Sequence, residues 1–112
     1  MKKVYICSPF RGRSAKATEK NRQNALVYCR FAYEQRCNPF APHAYYPEFL
    51  DDTTASERKD GMTMAQEWMW AFQEMWVFGN VITPGMREEI KLARLLDIKI
   101  RYFNEFMEEE RK

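Results

Sequence analysis

Apolar residues along the chain alternate between short unbroken runs and longer stretches in which they recur every three or four positions. Val4-Tyr5-Ile6-Cys7, Phe40-Ala41, Met75-Trp76-Val77-Phe78 and residues 98–103 are short enough to be strands. Residues 21–36 lack Gly and Pro and carry Ala25, Cys29 and Ala32 with Leu26, Tyr28 and Tyr33 at helical spacing. Cys37-Asn38-Pro39 ends that helix, because the residue before proline avoids helical dihedrals. Residues 57–72 place Met62, Ala65, Met69 and Phe72 on one stripe, although Gly61 weakens the first turn by about 1 kcal/mol relative to Ala. Thr83-Pro84 opens a further helix as N-cap and first helical residue, with Met86, Ile90, Ala93 and Leu96 facing the core. Lys99 and Arg101 alternate with apolar neighbours as on an edge strand, and the charged tail reads as a frayed helix.

This order of elements predicts an α/β domain over residues 1–104, followed by a charged tail over residues 105–112. The architecture is a parallel sheet of about four strands with right-handed crossovers and helices on both faces. In such sheets ligands bind beyond the carboxyl ends of the strands. That rule brings residues 8–14, 42–52 and 79–89 to one rim. Residues 43–54 read as a loop whose aromatics either cover the core or line a pocket. The methionines and Trp68, Trp70 and Trp76 read as core and rim packing.

Composition narrows the class. A chain of 112 residues, 46% apolar and 30% charged, supports one compact domain, and 15% aromatics argue against disorder. No apolar run approaches the roughly 20 residues that cross a bilayer, and no signal-peptide core follows Met1, so no membrane association and a cytoplasmic location are expected. Cys7, Cys29 and Cys37 are too few and too scattered for a disulfide framework or a zinc site, and no metal is expected; no cofactor is expected either.

Charge is segregated although the net value is only +2. Residues 1–36 hold nine Lys/Arg against two acids, and the remainder holds nine against fourteen. Such a chain is either a solvated dipole or carries an anion site near its amino end. Arginine's fork of donors matches phosphate, whereas aromatics do not interleave with a long basic stripe, so a nucleic-acid polymer is not expected. On the rim, Ser8, Arg11, Gly12 and Arg13 meet Thr83 and the N–H groups of Gly85 and Met86 at a helix N-terminus, a phosphate cradle or simply a good cap. Glu89, unlike Glu88, has no cation three or four residues on and borders the buried stripe at Ile90, a placement suited to chemistry or to an ordinary solvated glutamate. His43 and Asp52 complete the rim, the one a ligand contact or a loop histidine, the other a ligand contact or a turn residue.

Val4-Tyr5-Ile6-Cys7-Ser8-Pro9-Phe10-Arg11-Gly12, followed by Thr83-x-Gly85-x-x-x-Glu89-Ile90-x-x-Ala93, resembles the nucleoside 2-deoxyribosyltransferase-like superfamily. By motif it is similar to the 2′-deoxynucleoside 5′-phosphate N-hydrolases, and the whole chain to a small bacterial and phage branch. The resemblance implies a three-layer Rossmann-like or flavodoxin-like fold, a nucleotide or nucleoside ligand, and a homo-oligomer. It puts Glu89 on the nucleophilic carboxylate, Tyr5 on a tyrosine that assists it, and Arg11 and Gly12 on the loop that grips the 5′ end. Thr83 stands where enzymes of free nucleosides carry Asp and 5′-phosphate enzymes carry Ser. A hydroxyl beside a helix N-terminus accepts a dianion that a carboxylate would repel. The implied activity is cleavage or transfer of an N-glycosidic bond, the alternative a nucleotide-sequestering module. The chain departs from the pattern at the family's acid, for which Asp60, Gln66 and Glu67 are the nearby residues, at Gln73-Glu74, and in ending after four expected strands.

Overall fold

The computed structural model describes residues 1–111. Its sheet is built from β1 (Lys2–Cys7), β2 (Cys37–Phe40), β3 (Glu74–Phe78), β4 (Lys99–Phe103) and β5 (Glu109–Glu110), in the order β2-β1-β3-β4-β5. The first four strands run parallel, and β5 lies antiparallel on β4. Helices α1 (Ala15–Glu34), α2 (Pro42–Tyr45), α3 (Ala55–Trp68) and α4 (Pro84–Leu95) complete the chain, with single 3-10 turns at Tyr46–Glu48 and Met69–Ala71.

Strand β1 sits between β2 and β3, with α1 over one face and α4 over the other, so every residue from Val4 to Cys7 is buried. Val4 and Ile6 join Trp76, Phe78 and Phe103 beneath Ala25, Tyr28 and Ala32 of α1. Tyr5 and Cys7 point the other way, into Met69, Met75 and Val77 and the α4 residues Met86, Ile90 and Ala93. This alternation of a strand's side chains is what delivers Tyr5 and Cys7 to the α4 side. Burial of each Val, Ile, Met or Phe side chain among these contributes about 1.5–3 kcal/mol.

Several expectations are corrected. The sheet has five strands: residues after Phe103 turn at Met107 (φ 65°) and return as β5, so the tail is not a frayed helix and β4 is not a free edge. Arg101 holds that return through two hydrogen bonds to Glu109 of 2.9 and 2.7 Å. Helix α1 begins at Ala15, six residues before the expected start at residue 21, because Ser14 caps it by accepting from the Ala17 N–H at 3.1 Å. Strand β2 ends at Phe40 where Ala41-Pro42 starts α2, and the expected loop over residues 43–54 contains α2 and a 3-10 turn. Leu26, Tyr33, Met62 and Leu96 are exposed rather than core, as are Trp68 and Trp70.

Candidate functional site

Strand order reverses between β1 and β3, and beyond their carboxyl ends lies a cleft of about 410 Å³. Each of the three expected rim segments reaches it: Ser8, Phe10 and Arg11 after β1, Pro42, His43 and Asp52 after β2, and Thr83, Gly85, Met86 and Glu89 after β3. The face of α3 made by Glu57, Arg58, Gly61, Met62, Ala65 and Gln66 forms the remaining wall. Its spacing of three and four residues was visible in the sequence, but Glu57 and Arg58 were not among the expected site residues because nothing local aims them inward.

Glu89 lies one turn into α4 at the base of the cleft. Tyr5 Oη donates to its Oε2, and Cys7 Sγ lies 3.6 Å from its Oε1. No cation pairs with it among the described residues. Burial therefore dominates, and the carboxyl is pushed up to about 7 against the opposing pull of these two hydrogen bonds. Tyr5 and Cys7 are themselves raised, first by burial and then by the Glu89 charge, so both remain protonated donors. Tyr5 thus stands behind Glu89 and does not line the cleft.

The loop after β1 is stapled to α1. The Gly12 N–H donates to Thr18 Oγ1 at 3.0 Å, and Asn21 Nδ2 donates to the Phe10 carbonyl at 3.0 Å. Gly12 is not a lining residue. Its importance is steric, since a Cβ there would sit 2.4 Å from Ala17 Cβ. Arg11 lines the cleft, whereas Arg13 is exposed and is not among the lining residues.

Thr83 caps α4 by accepting from the Met86 N–H at 3.2 Å, which corrects the expectation that this N–H is free for a ligand. The Gly85 N–H has no partner within its helix. A Cβ at Gly85 would meet nothing within 4 Å, so the backbone there is open to approach. Arg11, Thr83 and Gly85 line the same cleft as the positive end of α4, which makes that cleft compatible with an anion.

Ser8 is buried, with its Oγ 2.7 Å from His43 Nε2. Burial lowers His43 to about 4, so the ring is neutral near pH 7. Asp51 acts as the turn residue: its carboxylate accepts from the Thr53 N–H and from both the Thr53 and Thr54 hydroxyls. Asp52 lines the cleft, and its carbonyl accepts a hydrogen bond from Arg58 Nη1 at 3.4 Å. Glu57 Oε1 accepts the Asp51 N–H at 2.8 Å. Of the residues near the family's acid, Gln66 lines the cleft, whereas Asp60 and Glu67 do not. Among the described residues no group of three or more His, Cys, Asp or Glu is arranged to hold a metal ion. No helix among them is long and apolar enough to cross a membrane.

The five-stranded, mostly parallel sheet flanked by helices, with its cleft at the switch point, is an α/β fold of the Rossmann-like kind. The chain is similar to a solved 2-deoxyribosyltransferase from the psychrotolerant bacterium Bacillus psychrosaccharolyticus, with a TM-score of 0.65 and 16% identity over 91% of this chain and 72% of that one. Residues 2–103 match the family described as domain of unknown function DUF7768, and the chain belongs to that family. No curated protein matches the sequence.

Proposed function

We propose that the protein cleaves or transfers the N-glycosidic bond of a nucleoside or deoxynucleoside 5′-monophosphate, with Glu89 as nucleophile. The observation that carries this reading is a single cleft lined by a partly buried, doubly hydrogen-bonded carboxylate, by the start of α4 one helical turn before it, and by Arg11. The 5′-phosphate would bind Arg11, the Thr83 hydroxyl and the Gly85 N–H, which brings the anomeric carbon toward Glu89. A bond then forms between the carboxylate and that carbon while the bond to the base nitrogen breaks, its electron pair leaving with the base. Gln66 can hydrogen-bond the departing base but has no proton to give, so water protonates it. Attack by water on the glycosyl ester, with loss of a proton, releases the sugar phosphate and restores Glu89. Attack by a second base gives transfer.

Release of free base from a panel of nucleoside and deoxynucleoside monophosphates, with Glu89→Gln as control, tests the reading. Base release by the wild type and its loss in the variant support it; turnover that survives the substitution removes Glu89 from its role. Gln66 in the place of an acid favours a second reading, a module that binds nucleotide without turnover. Tight binding of intact monophosphate with no release of base would select that reading.

The cysteines are free thiols, which fits the reducing cytoplasm that the same proposal assumes. A homo-oligomer belongs to it too, supported by exposed Tyr45, Phe49, Trp68 and Trp70. Sedimentation of the protein tests that part.

A further inference from the structure

Glu89 receives two donors from one strand, one on each carboxylate oxygen. Tyr5 and Cys7 are two residues apart on β1, so their side chains share a face of the sheet, and both are fully buried. The phenol bonds Oε2, and the thiol lies 3.6 Å from Oε1 and 3.9 Å from the Met86 carbonyl. We propose that Cys7 is a positioning residue: with Tyr5 it fixes the carboxylate plane and leaves Oε1, the oxygen on the weaker donor, as the atom that attacks the sugar. This rests on the reading of Glu89 as nucleophile.

The asymmetry of the donors supplies the reason. A phenol O–H is a strong donor and draws negative charge onto Oε2, whereas a thiol S–H is a weak one and leaves Oε1 more nucleophilic. When Oε1 bonds to the anomeric carbon and the base leaves with its electron pair, Oε2 becomes the ester carbonyl and keeps the Tyr5 hydrogen bond. The thiol proton is then free to turn to the Met86 carbonyl, so no buried donor is orphaned. Attack through Oε2 would instead break the stronger hydrogen bond. Cys7 stays a thiol throughout. It lies behind Glu89, outside the cleft lining, and burial holds its proton on.

Tyr5 and Cys7 are the titratable groups that touch Glu89 from β1, and the packing around them from β3, α4 and the turn after α3 is apolar. Arg11, His43, Tyr46, Asp52, Glu57 and Arg58 line the same cleft, and among the described residues Glu89 hydrogen-bonds Tyr5 and Cys7 rather than any of these.

Infrared spectroscopy of the ligand-free protein tests the contact without turnover. The S–H stretch that disappears in Cys7→Ala should shift to lower frequency with pH, at the same midpoint as the carboxyl band that Glu89→Gln removes. Cys7→Ser places a stronger donor on Oε1. It should move the acid limb of the pH–rate profile downward and lower kcat about tenfold with KM unchanged. An S–H band indifferent to pH overturns the role of Cys7, and a Cys7→Ser enzyme with unaltered kcat and acid limb overturns the assignment of Oε1. Turnover retained by Glu89→Gln overturns the nucleophile reading and the Oε1 assignment together, while the infrared result on Cys7 stands by itself.

Discussion

The phenol of Tyr5, on a strand buried on both faces, donates its hydrogen bond to the carboxylate of Glu89 across 84 residues of chain. Of the influences on that carboxyl, burial raises its pKa most and the Tyr5 bond opposes it most. In Tyr5→Phe the first remains and the second is gone. The pH at which Glu89 ionises should therefore rise above about 7, moving the acid limb of the rate profile upward. At pH 7 the rate should fall about tenfold or more, as a pH–rate profile of the variant will show.

Stability should carry the same signature. The folded state holds the Glu89 proton more tightly than the unfolded chain, since the carboxyl is raised from 4.5 to about 7. Stability contributed by that proton is fully present below the lower value and is lost as pH rises through the upper one, on the order of 3 kcal/mol. Glu89→Gln abolishes this loss. Urea denaturation at pH 5 and pH 8 should show the variant gaining on the wild type at the higher pH.

His43 works in the opposite direction. Burial lowers it from 6.5 to about 4, so its neutral form belongs to the fold. Stability from this group is present above the unfolded value and is lost as pH falls through the folded one. His43→Gln keeps a hydrogen-bonding partner for Ser8 and should flatten the acid side of the stability curve, read by thermal melts between pH 7 and pH 4.

Phosphate recognition separates from nucleoside recognition. Arg11→Ala should weaken binding of a deoxynucleoside monophosphate by about 1.5–3 kcal/mol and leave the free nucleoside nearly unaffected. Thr83→Asp should retain an N-cap while repelling the dianion, shifting preference toward the free nucleoside. Calorimetry with both ligands distinguishes these outcomes from a general loss of structure.

Gly12→Ala tests the stapled loop. The added Cβ would lie 2.4 Å from Ala17 Cβ and 2.9 Å from the Ala17 backbone carbon, so the loop or the start of α1 must shift. A loss of about 1–3 kcal/mol in stability, with weaker phosphate binding as Arg11 moves, is the expected result in denaturation and calorimetry.

Much of the fold was legible in the chain because strands and helices announce themselves by the period of their buried positions. Four strands, the cap at Thr83 and the stripe through Met86, Ile90 and Ala93 were read from local pattern alone. The start of α1 was missed because its first turns carry Lys16, Lys20 and Glu19 and bury almost nothing. Strand β5 was missed because Glu109 and Glu110 have no strand preference. They pair with β4 only because Arg101 and the turn at Met107 bring them there.

The sequence by itself determined the order of the four parallel strands and of the three longer helices between them, the three segments that share a rim, and the residues available there. Local periodicity and capping encode all of these. Only the tertiary structure decided that Arg11 enters the cleft while Arg13 does not, that Thr83 consumes the Met86 N–H, and that α3 contributes Glu57, Arg58 and Gln66. It also decided what touches Glu89, for a carboxyl is tuned by burial and by donors from a strand distant in sequence, and no pattern confined to one helix carries that information.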